Sequence, residues 1–222
     1  MEAFREATIL EFGSCLLRRI FHRPPATPVV LAGGAFKSLI HDRPPRDLDL
    51  WVSEESDHRV VCRALLEQGA LLVRDNPPYQ TAFRIQDCLV EVAYPVADRR
   101  TVDDLLAHFD IGLSAVAVCW RDGRFRPFLR PEAVESVRRR QVLLIRPLRN
   151  WKYALCTLER MRRYARELGF AVPTEEVEDL WRLFAVQDAP EQKRIIDRYL
   201  RVGDGAREIL EEARRRLQGV AA

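Results

Sequence analysis

The chain has 222 residues, of which 47% are hydrophobic and 31% are charged, and its formal net charge is +3. These values are typical of an ordinary soluble protein with one or two domains, and no apolar run approaches the roughly 18 residues of a membrane span, so we expect a cytoplasmic protein without a membrane partner. The five scattered cysteines form no CxxC pair, which argues against a disulfide framework or a structural zinc site.

The first part of the chain alternates between helical and strand-like patterns. Apolar residues at helical spacing predict a helix over residues 2–21, which ends before Pro24. PVVLAGG is typical of a buried strand that ends in glycine, AFKSLIHD fits about two helical turns, and DLDLWV predicts the next strand. A helix over residues 56–69 follows, and then three strand candidates, GALLVRD, QTAFRIQ and CLVEVAYP.

The pattern changes near residue 130. Before it, TVDDLLAHFD predicts a helix with Thr101 as N-cap and Asp104 at the capping-box position, and a hairpin around Asp122-Gly123 joins LSAVAVCW to RFRPFL. After it, helices are predicted near residues 131–140, 148–169, 174–186, 190–201 and 204–218. We therefore predict an α+β chain, with a mixed sheet and flanking helices over residues 1–130 and an all-helical domain over residues 131–222.

Two aspartates, Asp47 and Asp49, lie one residue apart inside the strand-like run DLDLWV. Side chains alternate between the faces of a strand, so both carboxylates project from one face while Leu48 and Leu50 project into the core. The two positions are about 6.6 Å apart along the strand, close enough to share two Mg²⁺ ions. Glu91, a lone carboxylate in the apolar run CLVEVA, is the natural third ligand on the same sheet face. Taken alone, Glu91 could be a surface residue of an edge strand.

A pair of glycines, Gly33 and Gly34, closes the strand that precedes the aspartates. Glycine lets backbone N–H groups approach an anion closely, and the following helix adds its N-terminal dipole, with Lys37 and Ser38 nearby. A glycine pair alone is usually a tight turn, and a DxD pattern alone is usually a solvated turn. Their order and spacing predict a phosphate-binding turn that faces a metal-binding strand, although the chain has no Walker loop.

The run GGAFKSLIHDRPPRDLDLWV resembles the signature of the class II tRNA nucleotidyltransferase and poly(A) polymerase head domain, within the polymerase-β-like nucleotidyltransferase superfamily. That signature reads GGxVRDxLLGRxPxDxDxxx, and Lys37-Ser38 stand where it has Arg-Asp. The residues that match it are Gly33, Gly34, Arg43, Pro45, Asp47 and Asp49. Weaker likenesses follow: LVEVAYPV resembles VEVATFR at Glu91, FDIGLSAVAV resembles RRDFTINALAY at Asp110, and TLERMRRYARELGFAVP resembles the neck helix RMLRAVRFAARLGF at Arg160 and Arg163.

The resemblance covers about residues 28–173 and implies transfer of a nucleoside monophosphate from an NTP, either ATP or CTP, to an acceptor hydroxyl, with two Mg²⁺ ions and release of pyrophosphate. The implied catalytic and metal-binding residues are Asp47, Asp49 and Glu91. The implied nucleotide-binding residues are Gly33, Gly34, Lys37, Ser38, Asp110, Arg160 and Arg163. Other positions depart from the family: residues 153–157 replace the EDxxR motif that selects the base, and Val96 and His108-Phe109 replace motif arginines.

A basic segment runs from Arg138 to Arg166, with ten Arg or Lys residues and one acid, Glu159. This excess favours a polyanionic partner, and the resemblance makes a tRNA-like RNA 3′ end the expected acceptor, without DNA specificity. In the helix predicted over residues 148–169, Arg160 and Arg163 share a face that is separate from an apolar stripe, and a solvated face is the plain alternative.

Two other functions stay open at this point. The acceptor hydroxyl could belong to a protein or a small molecule, as in nucleotidyltransferase toxins and drug-modifying enzymes of the same superfamily. The altered motif positions also allow a relative that binds nucleotide or RNA without catalysis.

Overall fold

The computed structural model describes residues 4–76, 80–94 and 101–219. A central sheet with flanking helices and a run of C-terminal helices confirms the predicted α+β class. The helices are α1 (Glu6–Ile20), α2 (Ser38–His41), α3 (Glu55–Glu67), α4 (Val102–Ala107), α5 (Pro131–Arg139), α6 (Ala154–Leu168), α7 (Thr174–Ala185), α8 (Ala189–Val202) and α9 (Arg207–Gly219). The strands are β1 (Val29–Ala32), β2 (Asp47–Trp51), β3 (Leu71–Asn76), β4 (Gln80–Ile85), β5 (Cys88–Ala93), β6 (Val116–Arg121) and β7 (Arg124–Leu129).

The strands form one mixed sheet in the order β3-β4-β5-β2-β1-β6-β7. β2 and β5 are parallel neighbours at its centre, and the other neighbouring pairs are antiparallel. β1, which ends at the glycine pair, lies beside β2 and aligns Ala32 with Asp49. The sheet therefore brings the two halves of the GGAFKSLIHDRPPRDLDLWV run side by side.

The two faces of the sheet differ in chemistry. One face contributes Leu48, Leu50 and their neighbours to the main apolar core. The other face carries Asp47, Asp49 and Glu91, and beyond them a small apolar cluster in which Leu105 and Leu106 of α4 pack on alanines of the sheet. We call this second surface the carboxylate face.

The C-terminal helices pack against the sheet domain through α6. Its predicted apolar stripe is buried, with Leu155, Leu158 and Met161 almost inaccessible, and the hydroxyl of buried Tyr164 lies 3.1 Å from the Ser114 hydroxyl, next to the sheet. The main apolar cluster continues from the sheet into α6, α7, α8 and α9. The division at residue 130 stays a prediction.

Two helices begin or end at other residues than the sequence predicts. The helix predicted over residues 148–169 begins at Ala154, after a 3₁₀ turn at Trp151–Tyr153. The Asn150 side chain donates a hydrogen bond to the His108 carbonyl at 2.6 Å, so a tertiary contact rather than helix propensity sets this segment. The segment after the glycines is a 3₁₀ turn, Gly34–Lys37, followed by the single turn of α2, because Pro44-Pro45 leave no room for a longer helix.

One further prediction is settled by a local contact. Thr101 is confirmed as the N-cap of α4, since its hydroxyl accepts a hydrogen bond from the Asp104 N–H group at 3.1 Å. None of the helices in the described part of the chain is long and apolar enough to cross a membrane. The substituted motif position Val96 lies outside the described residues.

Candidate functional site

The aspartate pair lies on the carboxylate face, at the centre of the sheet. Asp47 is exposed and Asp49 is half-buried, while Leu48 and Leu50 between and beyond them are buried, as strand alternation predicts. Neither carboxylate receives a hydrogen bond or an ion pair from the residues that the structure describes. Two uncompensated carboxylates this close together are electrostatically costly unless a cation joins them.

The pKa of Asp49 reflects this cost. Burial, then the charge of Asp47 and then that of Glu91, raises the pKa from 3.8 to about 7, and Arg160 offsets the rise in part. Near neutral pH the side chain is therefore only partly ionised in the protein alone. Any cation that binds between the carboxylates would favour the ionised form.

Glu91 lies beside Asp49 on the neighbouring strand. The parallel register aligns Asp49 with Glu91, which confirms that the two side chains share a sheet face. Arg74 donates to Glu91 Oε1 at 2.5 Å, and the Gln80 amide donates to Oε2. No group of three His, Cys, Asp or Glu side chains within the described ranges is placed to hold a metal ion. Glu91 is paired, whereas Asp47 and Asp49 have no partner among the described residues.

The glycine pair makes room for the carboxylate and for α6. Gly33 has φ +100°, and a Cβ atom there would lie 2.8 Å from Asp49 Oδ2. A Cβ atom on Gly34 would lie 3.1 Å from the Tyr164 hydroxyl. The sequence predicted that the backbone N–H groups of these glycines bind an anion. In the structure, the lack of a Cβ atom on Gly33 lets the backbone pass directly beside Asp49.

A cavity of about 300 Å³ opens in front of the aspartate pair. It lies between the glycine turn, the loop that leads into β2, and α6. Its lining combines the two carboxylates with an excess of cationic side chains: Gly34, Ala35, Lys37, Ser38, His41, Arg43, Pro44, Pro45, Arg46, Asp47, Asp49, Arg160, Arg163, Tyr164 and Glu167. A second cavity of about 280 Å³ shares Arg160 and Arg163 as lining residues. A cavity with this charge pattern suits a small polyanion that carries a divalent cation.

Lys37 reaches into the first cavity from the 3₁₀ turn after the glycines. Its ammonium group donates to Glu167 Oε2 at 2.9 Å and lies 3.5 Å from the centre of the Tyr164 ring. Burial lowers the pKa of Lys37, and the Glu167 carboxylate acts in the opposite direction. The sequence analysis expected Lys37 near a phosphate; in the structure its ammonium group is paired with Glu167.

Asp110 lies behind the cavity lining and contacts Arg160. It is buried and absent from the cavity lining, and its Oδ2 atom accepts hydrogen bonds from Thr157 and from Arg160, both at 2.6 Å. A charge-assisted bond to a buried carboxylate restricts a guanidinium group that would otherwise be mobile. Asp110 therefore fixes Arg160 at the junction of the two cavities, whereas Arg163 makes a looser contact of 3.6 Å with Asp204.

The signature match included Arg43 and Pro45 but gave the loop over residues 41–46 no role at the site, and in the structure this loop forms one rim of the cavity. Arg43 and Arg46 lie on it and make no ion pair with any described residue. The signal was present, since Pro44 and Pro45 stiffen the loop between two arginines immediately before the aspartates. Reasoning from strand periodicity alone gave these arginines no role.

Much of the basic segment is neutralised by neighbouring acids. Arg138 and Arg139 pair with Glu135 in the same helix. Arg146 pairs with Glu176 and Asp179 of α7. The cations that line the cavity come instead from the 3₁₀ turn after the glycines, from the loop over residues 41–46 and from α6.

No family model matches the sequence, and no curated protein matches it. Several solved structures share the fold. A CCA-adding enzyme in complex with CTP has a TM-score of 0.61 at 14% identity, over 98% of this chain and 54% of that one. A tRNA nucleotidyltransferase with a primer tRNA and an incoming ATP analogue has a TM-score of 0.58 at 14% identity, over 93% and 60%. The Thermotoga maritima CCA-adding enzyme with tRNA has a TM-score of 0.56 at 14% identity, over 86% and 45%.

These likenesses establish the architecture of the chain. It has the fold of a nucleotidyltransferase head followed by a helical region. The chain spans less than two thirds of the length of each of these structures.

Proposed function

We propose that the chain is a divalent-cation-dependent nucleotidyltransferase, which moves a nucleoside monophosphate from an NTP to an acceptor hydroxyl and releases pyrophosphate. The observation that carries the proposal is a pair of carboxylates, Asp47 and Asp49, that have no partner in the described part of the chain and lie at the wall of a cation-rich cavity. The fold supports it, because solved structures with this architecture include tRNA nucleotidyltransferases.

The donor set fits Mg²⁺. Asp47 and Asp49 offer hard oxygen ligands, and the raised pKa of Asp49 marks a point where a cation would relieve repulsion. These two residues would hold the ion, while Glu91, the third expected ligand, is already in contact with Arg74 and Gln80. When bound, Mg²⁺ supplies charge stabilisation at the transferring phosphate and lowers the pKa of a hydroxyl group in contact with it.

The chain's own residues bind and orient the nucleotide in this proposal. Lys37 releases Glu167 and donates to a phosphate oxygen, with the backbone of Gly33-Gly34 and the Ser38 hydroxyl beside it. Because Gly33 carries no Cβ atom, the backbone stays close to Asp49 and keeps phosphate and carboxylate on opposite sides of one small space.

The base and ribose would extend toward α6. Arg160, positioned by Asp110, and Arg163 line both cavities and are the candidate contacts for the base or the outer phosphates. We assign Asp110 to nucleotide binding only through Arg160, since its carboxylate is buried behind that side chain. ATP and CTP are the expected donors, because neighbouring structures were solved with CTP and with an ATP analogue.

The acceptor we favour is an RNA 3′ end, of the tRNA type. Structures of this fold were solved with tRNA, and Arg43 and Arg46 at the cavity rim, which form no ion pair within the described ranges, could meet phosphates. A protein or small-molecule acceptor is the second candidate, because the base-selecting motif is replaced at residues 153–157 and much of the basic segment is neutralised. A nucleotide-binding protein without catalysis is the third, motivated by the altered motif positions at His108-Phe109.

The test is transfer of label from each of the four NTPs in the presence of Mg²⁺. Total tRNA, a protein extract and a metabolite extract serve as parallel acceptors. We expect label on RNA with the natural chain and with Asp42→Asn, an exposed aspartate outside the cavity, and none with Asp49→Asn. Label on protein or metabolites would favour the second candidate, and full activity of Asp49→Asn would refute the metal role.

A further inference from the structure

One transverse row of the sheet joins Asp49 to an arginine at the edge. Asp49 aligns with Glu91, Glu91 aligns with Ala82, and Ala82 aligns with Arg74. Aligned residues of neighbouring strands project from the same face of a sheet. Arg74, on edge strand β3, therefore lies on the carboxylate face together with the two acids.

A bulge in β3 places Arg74 on that face. Leu72 pairs with Phe83 and Arg74 pairs with Ala82, so two steps along β3 oppose one step along β4, and Val73 is the extra residue. Phe83 belongs to the apolar core, so its partner Leu72 projects from the core side of the sheet. With strict alternation Arg74 would project from the core side as well, and the bulge redirects it toward Glu91.

Arg74 and Gln80 together occupy both oxygens of Glu91. Arg74 and Glu91 lie two strands apart in the sheet, a distance of about 9.6 Å. The Arg74 side chain crosses this distance above the small, buried Ala82. Its guanidinium meets Oε1 at 2.5 Å, and the Gln80 amide meets Oε2. Glu91 is thus a compensated carboxylate, whereas Asp47 and Asp49 have no partner among the described residues.

We propose that Arg74 is a positioning residue that holds Glu91 in an internal ion pair, so that a divalent cation binds through Asp47 and Asp49 without Glu91. The proposal rests on the proposed function only in taking the aspartate pair as a cation site. The third carboxylate of the site then anchors an arginine instead of a metal ion. It becomes a ligand only when Arg74 is removed.

The test is Mn²⁺ binding to the full chain without nucleotide, followed by electron paramagnetic resonance of the free ion. Four proteins are compared: the natural chain, Glu91→Gln, Arg74→Gln, and the double variant. We expect Glu91→Gln to change the dissociation constant by less than about threefold. Arg74→Gln should tighten Mn²⁺ binding by about tenfold, and adding Glu91→Gln should abolish that gain.

Arg84→Gln is the matched control. Arg84 is exposed and lies on β4 two residues after Ala82, so it projects from the same face of the sheet. Its substitution removes the same charge from that face without changing a contact to Glu91. It should change Mn²⁺ affinity by less than about threefold. If Glu91→Gln alone weakens binding tenfold or more, or if Arg84→Gln tightens it as much as Arg74→Gln does, the proposal is overturned. Mn²⁺ binding that ignores Asp49→Asn would instead refute the proposed cation site itself.

Discussion

Asp49→Asn should stabilise the metal-free protein at alkaline pH, even though it removes the central residue of the site. The substitution keeps the shape of the side chain and removes a charge that is half-buried beside Asp47 and Glu91. Like charges held close together in a partly buried place destabilise the folded state when no counter-ion is bound. Removing one of those charges relieves the folded state and leaves the unfolded chain nearly unchanged.

The sign and size of the effect follow from the raised pKa of Asp49. A carboxyl group with a higher pKa in the folded state holds its proton more tightly there, so the free energy of unfolding falls as pH rises from about 4 to about 7. The difference between 3.8 and about 7 sets an upper limit of about 4 kcal/mol above pH 7. Because solvent still reaches the side chain, we expect about 2 kcal/mol, or roughly 4–8 °C in melting temperature.

The assay is urea unfolding of the natural chain, Asp49→Asn and Asp42→Asn at pH 8 and pH 4, with a chelator present. Asp49→Asn should exceed the natural chain by about 2 kcal/mol at pH 8 and by less than about 0.5 kcal/mol at pH 4. Asp42→Asn should match the natural chain at both. Saturating Mg²⁺ should then stabilise the natural chain and leave Asp49→Asn unchanged. A destabilised Asp49→Asn at pH 8, or a difference that does not vary with pH, would refute the reasoning.

Two further predictions concern the glycine turn and the lysine that follows it. Gly33→Ala should lower the free energy of unfolding by about 3 kcal/mol, because φ +100° with ψ −151° is a conformation essentially restricted to glycine and the methyl group would also press on Asp49 Oδ2. Gly123→Ala, with φ +76° and open space, should cost about 1 kcal/mol by urea unfolding, and equal costs would contradict this explanation. Glu167→Gln should tighten binding of a non-hydrolysable ATP analogue about threefold or more, and Lys37→Met should weaken it at least about tenfold, by calorimetry. Weaker binding by Glu167→Gln would show that the ion pair with Lys37 supports the nucleotide site.

The arrangement of the carboxylates could be predicted from the sequence because it depends on strand periodicity. Asp47 and Asp49 share a face by alternation alone, and Glu91 joins them because its run is an apolar strand of the same sheet. The register that sets Glu91 directly beside Asp49 needed the parallel pairing of β2 and β5, which no local pattern reveals.

The residues around the carboxylates could not be predicted in this way. Arg74 reaches Glu91 only because of a bulge, and a bulge is a property of strand pairing that the run GALLVRD does not show. Charge counting overstated the basic segment for a related reason. The acids that neutralise Arg146 lie about thirty residues away along the chain, in α7.

In the proposed function, Asp47 and Asp49 form one site with the glycine turn and bind an NTP through a divalent cation. A crystal structure with Mn²⁺ and a non-hydrolysable NTP tests it most directly. We expect an anomalous manganese peak in contact with both carboxylates, phosphates beside Gly34 and Lys37, and Glu167 released from the lysine. A nucleotide bound elsewhere, or a manganese ion that contacts neither aspartate, would contradict it.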